Sequence, residues 1–169
     1  IAIDLETRDP DLKSKGSGAV IGNGEIIGVA VAVDGWCKYY PFGHEGGGNL
    51  DKNKVLEWVK AVCATEATKI FHNAMYDVCW LRSYGIKVNG HIMDTMVMAS
   101  LVDENRMRYT LNALSWEYLG ERKSEATLFE IAKNWGIDPK AELYKLPAIY
   151  VGEYAEKDAS LTLDLFKRL

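Results

Sequence analysis

The chain has 169 residues, 48% of them hydrophobic and 26% charged, enough for one domain with its own core and unlike a disordered or fibrous composition. A net charge of −4 speaks against a protein that coats duplex nucleic acid but leaves room for one that grips a strand end; carboxylates awaiting cations would account for part of it. No run nears the ~18 apolar residues of a membrane span, and Cys37, Cys63 and Cys79 show no CxxC spacing. Disulfide and zinc frameworks are thereby excluded, and a cytoplasmic protein without membrane contact is expected.

In chain order, residues 1–6 read as a buried strand. Residues 8–24, polar and dotted with glycine, predict a loop or splayed connection. Ile27, Val29, Val31 and Val33 alternate, the period-two signature of a second strand over 25–33. Asp34-Gly35 signals a tight turn before a third strand over 36–42. Residues 43–49, with three consecutive glycines, predict a mobile segment; they lack the GK[ST] ending of a phosphate-binding loop. Val55, Trp58, Val59 and Val62 recur at helical spacing and predict a helix over 52–64.

A short strand follows over 69–72, then a helix to about residue 84 that Asn73 can cap and Gly85 ends. Asp94 predicts a cap for a helix over 95–102, and two more helices are expected over 110–119 and 127–135. Pro147 opens the final helix, in a position where proline is tolerated. Strands first, then strands and helices mixed, predict an α/β fold whose central sheet is mixed and flanked by helices. The chain starts inside an apolar stretch and stops within an amphipathic pattern. Residues 1–169 are therefore expected to form a single domain that is a fragment of a longer chain.

Three segments carry candidate chemistry. In Asp4-Leu5-Glu6-Thr7 the two carboxylates lie two residues apart on a strand and share a face. They repel unless a cation sits between them, and a hard ion with oxygen ligands, Mg²⁺ or Mn²⁺, suits them. In His72-Asn73-Ala74-Met75-Tyr76-Asp77, at a strand-to-helix junction, exposed backbone N–H groups could attract phosphate, and Asn73 and Asp77 share one face of the first turn. In the final helix Tyr154 and Asp158 stand at i and i+4. Each segment alone has a plain structural explanation: a solvated strand end, a helix cap, a surface tyrosine beside an aspartate.

Taken in order, Asp-x-Glu, Asn-xxx-Asp and Tyr-xxx-Asp resemble the three exonuclease motifs of the DEDD superfamily. Thr7 after Glu6 and the Met93-Asp94-Thr95 step extend the likeness. Glu153 stands where the histidine subclass would place its histidine, so the chain resembles the tyrosine subclass, as in the proofreading domain of family-A, phage-like DNA polymerases. That resemblance implies a ribonuclease H-like fold and hydrolysis of nucleotides from a DNA 3′ end. It implies that Asp4, Glu6, Asp77 and Asp158 hold two divalent ions, Mg²⁺ or Mn²⁺, that Tyr154 orients the attacking water, and that Thr7 and Asn73 touch the terminal nucleotide. The expected partners are a single-stranded DNA 3′ end and the polymerase domain of the same parent chain, in the cytoplasm of a bacterium or phage-infected host. A stand-alone ribonuclease D-like RNA exonuclease and an inactive strand-binding or scaffold domain are the alternatives.

His44, His72 and His91 lack metal-binding spacing. The paired lysines and arginines, and Asp103-Glu104, read as solvated surface. Trp36, Trp58, Trp80, Trp116 and Trp135 are expected in the core.

Overall fold

The computed structural model describes residues 1–123 and 125–169. Its first strand, β1 (Ala2–Arg8), is followed by two helical turns, α1 (Leu12–Lys15) and α2 (Gly18–Ile21). A meander of β2 (Glu25–Val33) and β3 (Trp36–Pro41) leads to α3 (Lys52–Ala64). Then come β4 (Lys69–Phe71), α4 (Ala74–Ser83), β5 (Ile92–Asp94), α5 (Thr95–Val102), α6 (Leu111–Leu119), α7 (Ala126–Trp135) and α8 (Ala148–Arg168). The sheet order is β3-β2-β1-β4-β5, with β1-β2 and β2-β3 antiparallel and β1-β4 and β4-β5 parallel. The mixed sheet flanked by helices is the one the element order predicts.

Alternation along β1 assigns its side chains to two separate interiors. Ile3 and Leu5 join Val29 and Val31 of β2 against Val55 and Val59 of α3 and Trp80 and Leu81 of α4. Ala2 joins Ala30 and Ala32 of β2 against Val151, Ala155 and Ala159 of α8. Small residues on both sides of that second contact let the helix approach the sheet closely. Leu161 and Leu165, further along α8, pack against Ala99 of α5 and Leu111 and Leu114 of α6. The last helix therefore ties the sheet to the helical half of the molecule.

Several expectations change. β1 runs on to Arg8, because past Glu6 the pairing resumes at Thr7 with Ile26 after a bulge at Ile27. The 8–24 connection holds α1 and α2, each four residues long and too short for periodicity to reveal. β5 was not expected at all; its three residues are held by parallel pairing with β4. The 43–49 segment is tied down instead of free. His44 is buried, donating from Nδ1 to the Leu146 carbonyl (3.0 Å), which leaves Nε2 to accept from the Tyr39 hydroxyl (2.6 Å). Asn49 brackets His44 by bonding both its backbone N–H and its carbonyl, and a Cβ at Gly46 would lie 2.3 Å from the Pro147 nitrogen.

Of the five tryptophans only Trp80 is in the core; Trp36, Trp58, Trp116 and Trp135 are 37–53% exposed. The alanine-rich interface under α8 and the short helices offer too little depth for them, and Trp116 instead lies beneath the Arg122 guanidinium at 4.2 Å.

Candidate active site

The carboxylates meet where α8 crosses β1. Asp4 and Glu6 share the face of β1 that Ala2 occupies, and their partners across the ladder are the small residues Ala30 and Gly28. The space beside Gly28 is taken by the Tyr39 phenol, whose oxygen would lie 2.1 Å from a Cβ there. α8 brings Asp158 down from above, and carboxylate oxygens of Asp4, Glu6 and Asp158 all lie within 4.8 Å of one another. Asp77, in the first turn of α4, is buried just outside that group, with Oδ1 accepting from the Leu5 backbone N–H at 3.3 Å.

Such crowding is unfavourable without positive charge. Burial, with the Asp158 charge added, raises the Asp4 pKa to about 7 despite the opposing pull of Lys123. Burial and then the Asp4 and Asp158 charges hold Glu6 well above the usual carboxylate range. Burial and Asp4 do the same for Asp77 against the opposing Leu5 N–H. Asp158 is raised by burial although Lys123 opposes it. Among the described residues its Oδ1 is buried with no hydrogen-bond partner. An orphaned carboxylate oxygen within a cluster of hard donors fits a divalent cation of the Mg²⁺ or Mn²⁺ kind, and no histidine or cysteine belongs to the group.

Tyr154 stands one turn before Asp158. Burial and the charges of Asp158, Glu6 and Asp4 push its phenol pKa upward, so the hydroxyl keeps its proton and can act as a donor. A cleft of about 430 Å³ opens beside it, lined by Glu6, Thr110, Asn112, Lys123, Lys140 and Tyr154. That volume lies within the range of roughly 300–1,000 Å³ typical of small-ligand sites.

Thr7 adjoins the cluster with its hydroxyl bonded to the Tyr76 hydroxyl at 2.8 Å, and Tyr76 donates onward to Asp9 at 2.9 Å. Asn73 is exposed and adopts a left-handed backbone conformation, φ +67°, from which its side chain makes no cap bond. Its expected capping role passes to Asp94. One carboxylate accepts from the N–H groups of Asn73 (3.0 Å) and Ala74 (2.8 Å) at the start of α4, and from Met96 (2.9 Å) at the start of α5. Two of the N–H groups that the strand-to-helix junction offered are thus already bonded to Asp94. His72 is structural, bonding the Thr95 hydroxyl and the Tyr109 carbonyl.

Lys123 is the residue sequence reasoning missed. Assigned with other charged residues to solvated surface, it instead reaches Asp158 Oδ2 at 2.5 Å and the Tyr154 hydroxyl at 3.5 Å. Burial lowers its pKa, but the Asp158, Asp4 and Glu6 carboxylates outweigh that and raise it overall. It lies 35 residues before Asp158, in a segment without periodicity, and no pattern in the chain marks it.

A ribonuclease H-like sheet with acidic residues of β1 and α8 within 4.8 Å of one another, and one of α4 buried beside them, defines a class of nuclease domains. The chain belongs to the 3′-5′ exonuclease domain family of DNA polymerase A, whose family model matches residues 1–169. It is 37% identical over 173 residues to a DNA-directed DNA polymerase of Pseudomonas phage M6, covering 99% of this chain and 26% of that one. It is 27% identical over 175 residues to DNA polymerase DpoZ of Salmonella phage PMBT28, covering 99% and 25%. The chain therefore spans about a quarter of the length of these relatives. Among solved structures, a nuclease in its apo form superposes with a TM-score of 0.65 at 20% identity, over 99% of this chain and 69% of that one. Brucella melitensis NrnC with bound Mg²⁺ gives 0.59 at 21% identity, over 99% and 72%.

Proposed function

We propose that this domain hydrolyses nucleotides from DNA 3′ ends and serves as the editing part of a longer polymerase chain. The observation that carries the proposal is the convergence of Asp4, Glu6 and Asp158 within 4.8 Å beside a cleft; the likeness to phage polymerases favours DNA as substrate. Asp4, Glu6, Asp158 and the adjacent Asp77 would hold two Mg²⁺ or Mn²⁺ ions, supplying a hydroxide nucleophile near neutral pH and charge stabilisation for the leaving 3′ oxygen. The phenol of Tyr154, kept protonated, aims the attacking water by hydrogen bonding. Thr7, held by Tyr76, and the outward Asn73 contact the terminal nucleotide. Single-stranded ends are preferred because a paired end must first unpair, at a cost of a few kcal/mol.

The test is an end-labelled digestion in Mg²⁺ with 3′-single-stranded DNA, 3′-blocked DNA, closed circular DNA and an RNA of matching sequence. Mononucleotides should be released from the free DNA 3′ end alone, and EDTA should stop the release. Faster digestion of the RNA would move the assignment to the ribonuclease D-like alternative. Binding without any turnover would make the domain an inactive strand-binding one.

A further inference from the structure

We propose that Lys123 is the resident counter-ion of the carboxylate cluster, that it yields Asp158 to the incoming divalent cation, and that it then turns to the phosphate of the bound strand. The proposal rests on the metal-binding reading of the cluster and adds to it the means by which the site is held and loaded. Lys123 Nζ sits on one oxygen of the Asp158 carboxylate, while the other oxygen is, among the described residues, buried without a hydrogen-bond partner. One ligand is therefore masked and one is bare. The ammonium also lies 5.3 Å from the centre of the Tyr154 ring and lines the cleft. Its next position is thus already bordered by the group proposed to aim the nucleophile.

The stem is anchored at its backbone, and the head is held by hydrogen bonds to Asp158 and Tyr154. The Lys123 backbone N–H donates to Asn112 Oδ1 on α6 at 3.2 Å, and four methylenes separate that anchor from an ammonium with freely rotating donors. The charges make the exchange directional. Without metal, Asp4, Glu6 and Asp158 all face this one lysine. Two divalent ions would neutralise four carboxylates in full, which leaves the ammonium uncompensated until a phosphodiester enters the cleft. Lys123 stays charged throughout; only its partner changes. It acts as a positioning residue for the metal and as a contact for the strand.

Calorimetric titration of Mn²⁺ into the DNA-free chain tests this, comparing wild type with Lys123→Gln and Lys123→Arg. Removing the competing cation should tighten Mn²⁺ binding by roughly 5- to 150-fold, the usual span of coupling between two ligands. Lys123→Arg, which keeps the charge, should stay near wild type. Wild type and Lys123→Gln binding Mn²⁺ equally well would overturn the counter-ion role and leave the metal site standing. Absence of Mn²⁺ binding in both would overturn the metal site itself and this proposal with it. If Lys123→Gln does not fold, the wild-type protein still answers through NMR. The Lys123 Cε resonance should move on Mg²⁺ addition, and a resonance that stays put refutes the exchange.

Discussion

At the scale of single residues, Tyr154 and Asp158 share a helix face but are assigned different work. A phenol whose pKa is raised by burial and four carboxylates cannot serve as a base near neutrality, so the contribution proposed for it is a hydrogen bond. Loss of one positioned donor in a water-poor site costs about 10²–10³ in rate. Tyr154→Phe, which keeps the packing, should slow single-turnover cleavage by roughly 10- to 10³-fold. Asp158→Ala, which removes a proposed metal ligand, should fall well below that. Equal rates for the two variants would show that Tyr154 takes part in proton transfer.

Asp4 gives a pH prediction. Its folded pKa of about 7 lies above its ordinary value of 3.8, so the folded state binds the proton more tightly than the unfolded chain does. The associated stability is fully present below pH 3.8 and is lost as pH rises through about 7. In EDTA the melting temperature should therefore decline between acid and neutral pH, and Mg²⁺ should restore it at neutral pH. A metal-free melting temperature that climbs across the same interval would contradict the crowding of these carboxylates.

At the scale of elements, Asp94 has the widest reach. One carboxylate at the end of β5 satisfies N–H groups at the start of both α4 and α5, which makes it a double cap. Loss of a single cap costs about 0.5–2 kcal/mol, so Asp94→Ala should destabilise by roughly 1–4 kcal/mol. For a chain of this size each kcal/mol lowers the melting temperature by about 2–4 °C. Because α4 carries Asp77 in its first turn, the variant should also need more Mg²⁺ to reach half-maximal cleavage. A variant that melts early with unchanged Mg²⁺ demand would separate the cap from the site.

The same elements show what the chain makes legible. β2 and α8 were readable because alternation and helical spacing persist over 9 and 21 residues. β5 was not, since three residues carry no period and its existence depends on β4. The capping role of Asp94 towards α5 was readable from local sequence. Its bonds to Asn73 and Ala74 were not, because they arise from two parallel strands ending side by side. The candidate site divides in the same way. Asp4, Glu6, Asp77, Tyr154 and Asp158 were legible as ordered motifs, whereas Lys123 reaches Asp158 only through the course of the chain between α6 and α7.

At the scale of the whole molecule, hydrophobic clusters lie on both faces of the sheet, and neither is built from the clustered carboxylates. Chelation is therefore expected to stop cleavage while leaving far-UV circular dichroism almost unchanged; unfolding on addition of EDTA would show that the ions are structural. Four of the five tryptophans are at least 37% exposed, so iodide should quench most of the intrinsic fluorescence of the isolated chain. Emission protected from iodide would mean that a second copy of the chain covers those rings.

The placement of α8 has a consequence in time. Asp4 and Glu6 leave the ribosome near the start of this chain, but the partners that complete their cluster arrive about 150 residues later, on its last helix. Bacterial-type synthesis at about 5–20 residues per second would need roughly 1–4 s for the 21 residues of α8 alone. Until that helix docks, the alanine-lined face of the sheet stays bare and no assembled catalytic centre exists. The proposed nuclease would thus be armed only once this helix has docked, and a chain still short of α8 would spare any nucleic acid it meets.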